Sequence, residues 1–203
     1  MRRLIGLSVT AALLAVAGYV HERSDDGGSL RSVNHAEYIS RAGGGIAGSP
    51  LERLERSMKA KPGSRKALGG VRLADGRRID LYTVETEDAK SCFVEDDPEA
   101  GAGGGCLEGG LFQERRVAFS VNTQGGPERF DELYVSGLVA PRIRSAELTL
   151  SDGSARPVDL SKTGAFVYES TDVELASPML PVGIRLFGAN GNLVEAVSFP
   201  PAG

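Results

Sequence analysis

In the stretch Ala146-Glu147-Leu148-Thr149-Leu150-Ser151-Asp152-Gly153-Ser154-Ala155-Arg156-Pro157-Val158-Asp159-Leu160, apolar and polar residues alternate on both sides of an Asp-Gly pair. Period-two alternation places successive side chains on opposite faces of a strand. Asp-Gly tolerates the left-handed dihedrals of a tight hairpin turn. The same pattern occurs twice more. Val71-Arg72-Leu73 passes through Asp75-Gly76 into Ile79–Val84, and Ile184–Phe187 turns at Asn190-Gly191 and returns through Leu193–Phe199. The similarity is one of turn chemistry, not a sequence repeat.

Four further strands fit between the hairpins: Lys90–Glu95, Arg116–Asn122, Leu133–Val139 and Ala165–Glu169. Many short strands at regular spacing predict a mainly β chain, an antiparallel β-sandwich, with a closed barrel as the alternative. The domain is expected over 66–200. Two docked halves, 66–122 and 132–200, would join at Gln124-Gly125-Gly126-Pro127. Before it, Ser49, Pro50 and Glu52 form a helix start with a capping box, and the helix is expected over 50–61, ahead of Pro62-Gly63.

The N-terminus carries the compartment signal. Met1-Arg2-Arg3 is followed by Leu4–Val20, which has no charged residue. A basic start and an apolar run predict a signal peptide or a membrane anchor over 1–20. Ala15-Val16-Ala17 fits a cleavage site, whereas the run length suits a short membrane span, so both outcomes stand. Residues 21–49 read as a flexible tether, with a short helix around Val33–Arg41. The domain is therefore expected outside the cytoplasm, secreted or held to the membrane by residues 4–20. No Cys near the apolar run offers a lipid attachment point.

Of the 203 residues, 25% are charged and 41% hydrophobic, with 23 Lys and Arg against 27 Asp and Glu. Such a chain is globular. Its basic residues form no block, which argues against nucleic acid as a partner.

The two cysteines, Cys92 and Cys106, predict one disulfide in an exported chain. Thirteen intervening residues are too many for a redox-active dithiol. The enclosed Glu95-Asp96-Asp97-Pro98-Glu99 and Ala100–Gly105 read as an acidic, glycine-rich surface loop that cannot bury itself. Its hard oxygen ligands Glu95, Asp96, Asp97 and Glu99, with Glu108, make a candidate cation loop, although their spacing matches no known motif.

Catalytic patterns are sparse. Both histidines, His21 and His35, fall in the tether, so the β domain lacks the commonest general base. Gly101–Gly105 is not followed by the Lys-Ser or Lys-Thr of a phosphate loop. No cofactor motif stands out. Carboxylates such as Asp80, Glu85, Asp131 and Glu132 are present for glycosidic chemistry, but the chain has no Trp and 6% aromatics. The aromatic residues mostly occupy alternating strand positions, which suits a core.

Tyr134-Val135-Ser136-Gly137-Leu138-Val139-Ala140-Pro141, the strand Ala146–Leu150 with Ser151-Asp152-Gly153, and Gly164-Ala165-Phe166-Val167-Tyr168-Glu169 together resemble a pattern in uncharacterised exported bacterial proteins. The likeness covers roughly residues 133–199. It implies an extracytoplasmic immunoglobulin-like sandwich and carries no activity with it. The functional expectation is a non-enzymatic module that binds a protein partner in the cell envelope, through Glu95–Glu108 or a sheet edge. The alternative is an extracytoplasmic enzyme working through carboxylates or a bound cation.

Overall fold

The computed structural model describes residues 48–199 apart from 114, 127, 128 and 178, with the backbone alone described at 125, 126 and 129. The signal or anchor segment, the tether up to residue 47 with both histidines, and the short helix at 33–41 lie outside the described residues. Among the described residues, no helix is long and apolar enough to cross a membrane.

The chain is mainly β, and its sheets are antiparallel. Helix α1 (Pro50–Ser57) precedes β1 (Lys66–Arg72), β2 (Arg78–Glu85), β3 (Lys90–Asp97) and β4 (Gly101–Glu108). Then come β5 (Val117–Gly126), β6 (Arg129–Val139), β7 (Ser145–Leu150), β8 (Ala155–Val158) and β9 (Ala165–Glu169). Helix α2 (Asp172–Ala176), β10 (Pro181–Phe187) and β11 (Leu193–Ser198) complete the described chain. The strands form three open sheets, in the orders β1-β2-β3-β4, β5-β6-β9 and β11-β10-β7-β8. The three Asp-Gly and Asn-Gly turns close β1–β2, β7–β8 and β10–β11 as their alternation predicts.

The β5-β6-β9 sheet lies between the other two. On one face Phe119, Leu133, Val135 and Phe166 pack with Leu148, Ile184 and Leu186. On the other face Ala118, Tyr134, Leu138 and Ala165 pack with Ile79, Leu81 and Phe93 of the meander β1–β4. A strand buried on both faces reads as a nearly continuous apolar run, and Leu133–Val139 does so. Gly137 sits where β6 passes Phe166. A Cβ there would lie 2.5 Å from two carbons of the Phe166 ring. The outer face of the meander is covered by α1, whose Leu51 and Leu54 pack on Val84, Cys92, Val94 and Ala102.

Three sequence expectations change. The helix ends at Ser57 rather than near 61, because Met58 caps it and Lys59 turns to a left-handed φ of 55°. The change of sheet falls between Glu108 and Val117, while Gln124–Gly126 belongs to the paired part of the β5–β6 hairpin. The acidic, glycine-rich segment is not a loop. It forms the end of β3, a turn at Pro98–Ala100, and β4. The Cys92–Cys106 disulfide is present and joins directly opposed residues of β3 and β4, with Cα atoms 3.9 Å apart. Glycine is what lets β4 lie against β3. A Cβ at Gly104 would come 2.4 Å from the Phe93 carbonyl oxygen.

Candidate functional site

The polar chemistry of the domain concentrates where the meander meets the β5-β6-β9 sheet. In β3, Phe93, Glu95 and Asp97 share the face turned to that sheet, and Cys92 and Val94 share the face under α1. Glu95 is 1% exposed and Asp97 fully buried. Opposite them, Ser120 and Asn122 continue the face of Ala118 on β5, and Tyr134 and Ser136 stand on β6.

Glu95 is held by side chains from both opposing strands. Its Oε2 accepts from Asn122 Nδ2 at 3.1 Å and from the Ser136 hydroxyl at 2.5 Å. Its Oε1 accepts a longer bond from the Ser120 hydroxyl at 3.3 Å. Buried carboxylates persist only with such partners.

Arg77 organises the neighbouring group. It follows the Asp75-Gly76 turn between β1 and β2, and its side chain is 8% exposed. Nη1 donates to Asp97 Oδ2 at 3.0 Å, Nη2 to Glu132 Oε2 at 2.5 Å, and Nε to Asp75. Glu99 Oε2 lies 3.9 Å from Nε. Asp97 Oδ1 also accepts from the backbone N–H groups of Glu99 and Ala100, at 2.9 and 3.2 Å, and so shapes the β3–β4 turn. The β1–β2 turn is pinned from the side, since the Ala74 N–H donates to Glu169 Oε2 at 2.7 Å.

Burial works against the Arg77 charge, but the bonds to Glu132 and Asp75 and the nearby Asp97 outweigh it. The guanidinium stays charged well past its ordinary range. Burial, then the charges of Glu95, Asp97 and Glu132, push the Tyr134 phenol far upward, so it remains a proton donor. Two buried atoms here have no hydrogen-bond partner, the Tyr134 hydroxyl and Glu132 Oε1.

The five sequence candidates for a cation do not converge. Strand alternation sends Glu95 and Asp97 inward and turns Asp96 to the opposite face, across from Asp80. Burial, and then the charges of Asp80 and Asp97, raise the Asp96 carboxyl. Glu99 lies on the turn with its side chain 71% exposed. Glu108 is at the far end of the hairpin, opposite Lys90, whereas Asp97 pairs near the turn with Gly101. Among the described residues, no three His, Cys, Asp or Glu side chains are arranged to hold a metal ion. Sequence reading missed Arg77, Ser120, Asn122, Tyr134 and Ser136 as members of one cluster. The available signal was phase: Glu95 and Asp97 alternate with the same period as Phe93.

A third buried acid, Glu174, caps α2. It accepts from Arg156 Nε at 2.8 Å, the Tyr168 hydroxyl at 2.8 Å and the Thr171 N–H at 3.0 Å. Burial raises its carboxyl, yet these bonds prevail and hold it below its ordinary value. Beside α1 lies an open cleft of about 610 Å³ with charges of both signs. Of its lining, Glu55 is bound to Arg65 at 3.3 Å and Glu52 caps Ser49.

In comparison with known proteins, no family model matches the chain, and no curated protein matches it.

Proposed function

We propose that this chain is an extracytoplasmic binding module, exported or tethered through residues 4–20, that engages a protein partner in the cell envelope without catalysis. One observation carries the reading. Each buried acid among the described residues, Glu95, Asp97 and Glu174, is committed to several protein donors. Acids held this way brace sheets and turns, which leaves recognition to the exposed turns of a rigid scaffold.

The scaffold supports the immunoglobulin-like reading. Strands β5 to β11, lettered A to G in chain order, make sheets A-B-E and G-F-C-D around one core. Seven antiparallel strands in two facing sheets are the immunoglobulin arrangement, here with the fourth strand paired to the third. The meander then covers the outer face of A-B-E. The disulfide is compatible with an oxidising compartment.

In-cell crosslinking of the tagged full-length protein, with mass spectrometry of the captured material, tests the proposal. A reproducible envelope protein is the expected result. Capture of nothing above background would overturn it.

A further inference from the structure

Resting on that reading, we propose that the turn end of the meander is a docking site for a basic segment of the partner, with a lysine or arginine side chain set beside Glu132 and Tyr134.

The first ground is charge. Among the described residues, the single Arg77 guanidinium lies within 4.0 Å of four carboxylates, those of Asp75, Asp97, Glu99 and Glu132. Three negative charges remain in excess around it. Like charges gathered together repel one another, most strongly at the shielded pair Asp97 and Glu132, and a second cation relieves that repulsion.

The second ground is independent of charge. Tyr134 is buried, with a residue exposure of 2%, and its hydroxyl, under the charges of Glu95, Asp97 and Glu132, has no hydrogen-bond partner. Glu132 spends Oε2 on Arg77 and leaves Oε1 unpartnered. Buried polar atoms are nearly always paired in folded proteins. An ammonium or guanidinium donates to Glu132 Oε1 and adds the positive charge that the cluster lacks.

The third ground is access. Asp75 and Glu99 stand at the rim with side chains 47% and 71% exposed, and Glu132 is 17% exposed behind them. Rim carboxylates steer a basic segment inward, and the inner one fixes it. Asp97 is unavailable, because Arg77 and two backbone N–H groups occupy it. The turn that presents Glu99 is held by the disulfide-linked hairpin, so the rim is preformed. Glu132 Oε1 and the Tyr134 hydroxyl are covered, and the Glu132 side chain must rotate to offer Oε1 to the incoming cation.

The test is fluorescence anisotropy on the full-length protein with a labelled alternating Arg-Gly peptide, at low and physiological salt. Asp75→Asn/Glu99→Gln and Glu132→Gln should each weaken binding about tenfold. Glu147→Gln, on the far sheet, should leave it unchanged. The rim double variant keeps the result interpretable if Glu132→Gln perturbs folding. No binding by wild type, or equal weakening by Glu147→Gln, would overturn the proposal. Binding of spermidine with no preference for the peptide would overturn the peptide source. Repeating the in-cell crosslinking separates the two readings. A partner captured equally by wild type and by the rim variant sinks this site and leaves the binding module standing, whereas no capture by wild type sinks the module itself.

Discussion

The Glu95 carboxylate on β3 and the Ser136 hydroxyl on β6 meet 2.5 Å apart across the seam between the meander and the three-stranded sheet. Both are buried, at 1% and 0% exposure, and they are separated by 41 positions in the chain. Neither sheet can bury its half of this contact alone, so the bond exists only when the sheets are docked. Glu95→Ala leaves Asn122 and Ser136 without their acceptor and should cost about 2–3 kcal/mol. Ser136→Ala should cost about 1–2 kcal/mol, and the double variant less than the sum. Urea unfolding of the three variants measures this, and simple additivity would show that the pair does not act as a unit.

The disulfide should matter most to β4. Five of its eight residues are glycine or alanine from Gly101 to Gly105, and such residues offer little side-chain packing and weak strand propensity. Replacing both cysteines by serine should cost about 3 kcal/mol in the chain-entropy model. Hydrogen exchange should then rise first at Gly101–Glu108, ahead of β5 and β6. Uniform loss of protection across all three sheets would contradict this.

Gly137→Ala forces a methyl group against Phe166 and to 2.8 Å from the Ala118 carbonyl oxygen. Overpacking of this kind should cost about 2 kcal/mol and lower the thermal midpoint by about 4–8 °C. A midpoint within a degree of wild type would mean that β6 and β9 shift apart freely at this crossing.

Acid stability should depend in part on Glu174. Its folded pKa lies below the ordinary 4.5. A depressed carboxylate contributes stability that is fully present above its unfolded pKa and is lost as pH falls through its folded value. Glu174→Gln should therefore be less stable than wild type at neutral pH, with the difference shrinking below about pH 4.5. Denaturation midpoints measured from pH 7 to pH 3 test the sign, and a constant difference would remove the linkage.

Most strands were legible because their cues are local. Ile79–Val84 and Ala146–Leu150 alternate cleanly, and Asp-Gly or Asn-Gly pairs mark their turns. β9 falls at Ala165–Glu169, where a strand is expected between the hairpins. β4 was illegible for the same reason. Gly101–Gly105 has no alternation to read, and it becomes a strand because β3, α1 and the disulfide hold it in place. Of the glycines that suggested a loop, Gly104 is required in the strand because a Cβ there would meet the backbone of β3.

The candidate site was legible only in fragments. Glu95 and Asp97 stand out as acids, and their phase with Phe93 places them on its face, but nothing local supplies the donors that let them be buried there. Arg77 lies 20 positions from Asp97, Asn122 27 from Glu95, and Ser136 41 from Glu95. Local periodicity and turn chemistry by themselves determined the antiparallel β character and three hairpins, and the count of two cysteines in a chain read as exported pointed to their pairing. The tertiary structure alone decided that three sheets stack, that the central one is buried on both faces, and which acids are shielded from water. The physical reason is that alternation is a property of neighbouring residues, whereas burial of a charge depends on donors that distant strands bring to it.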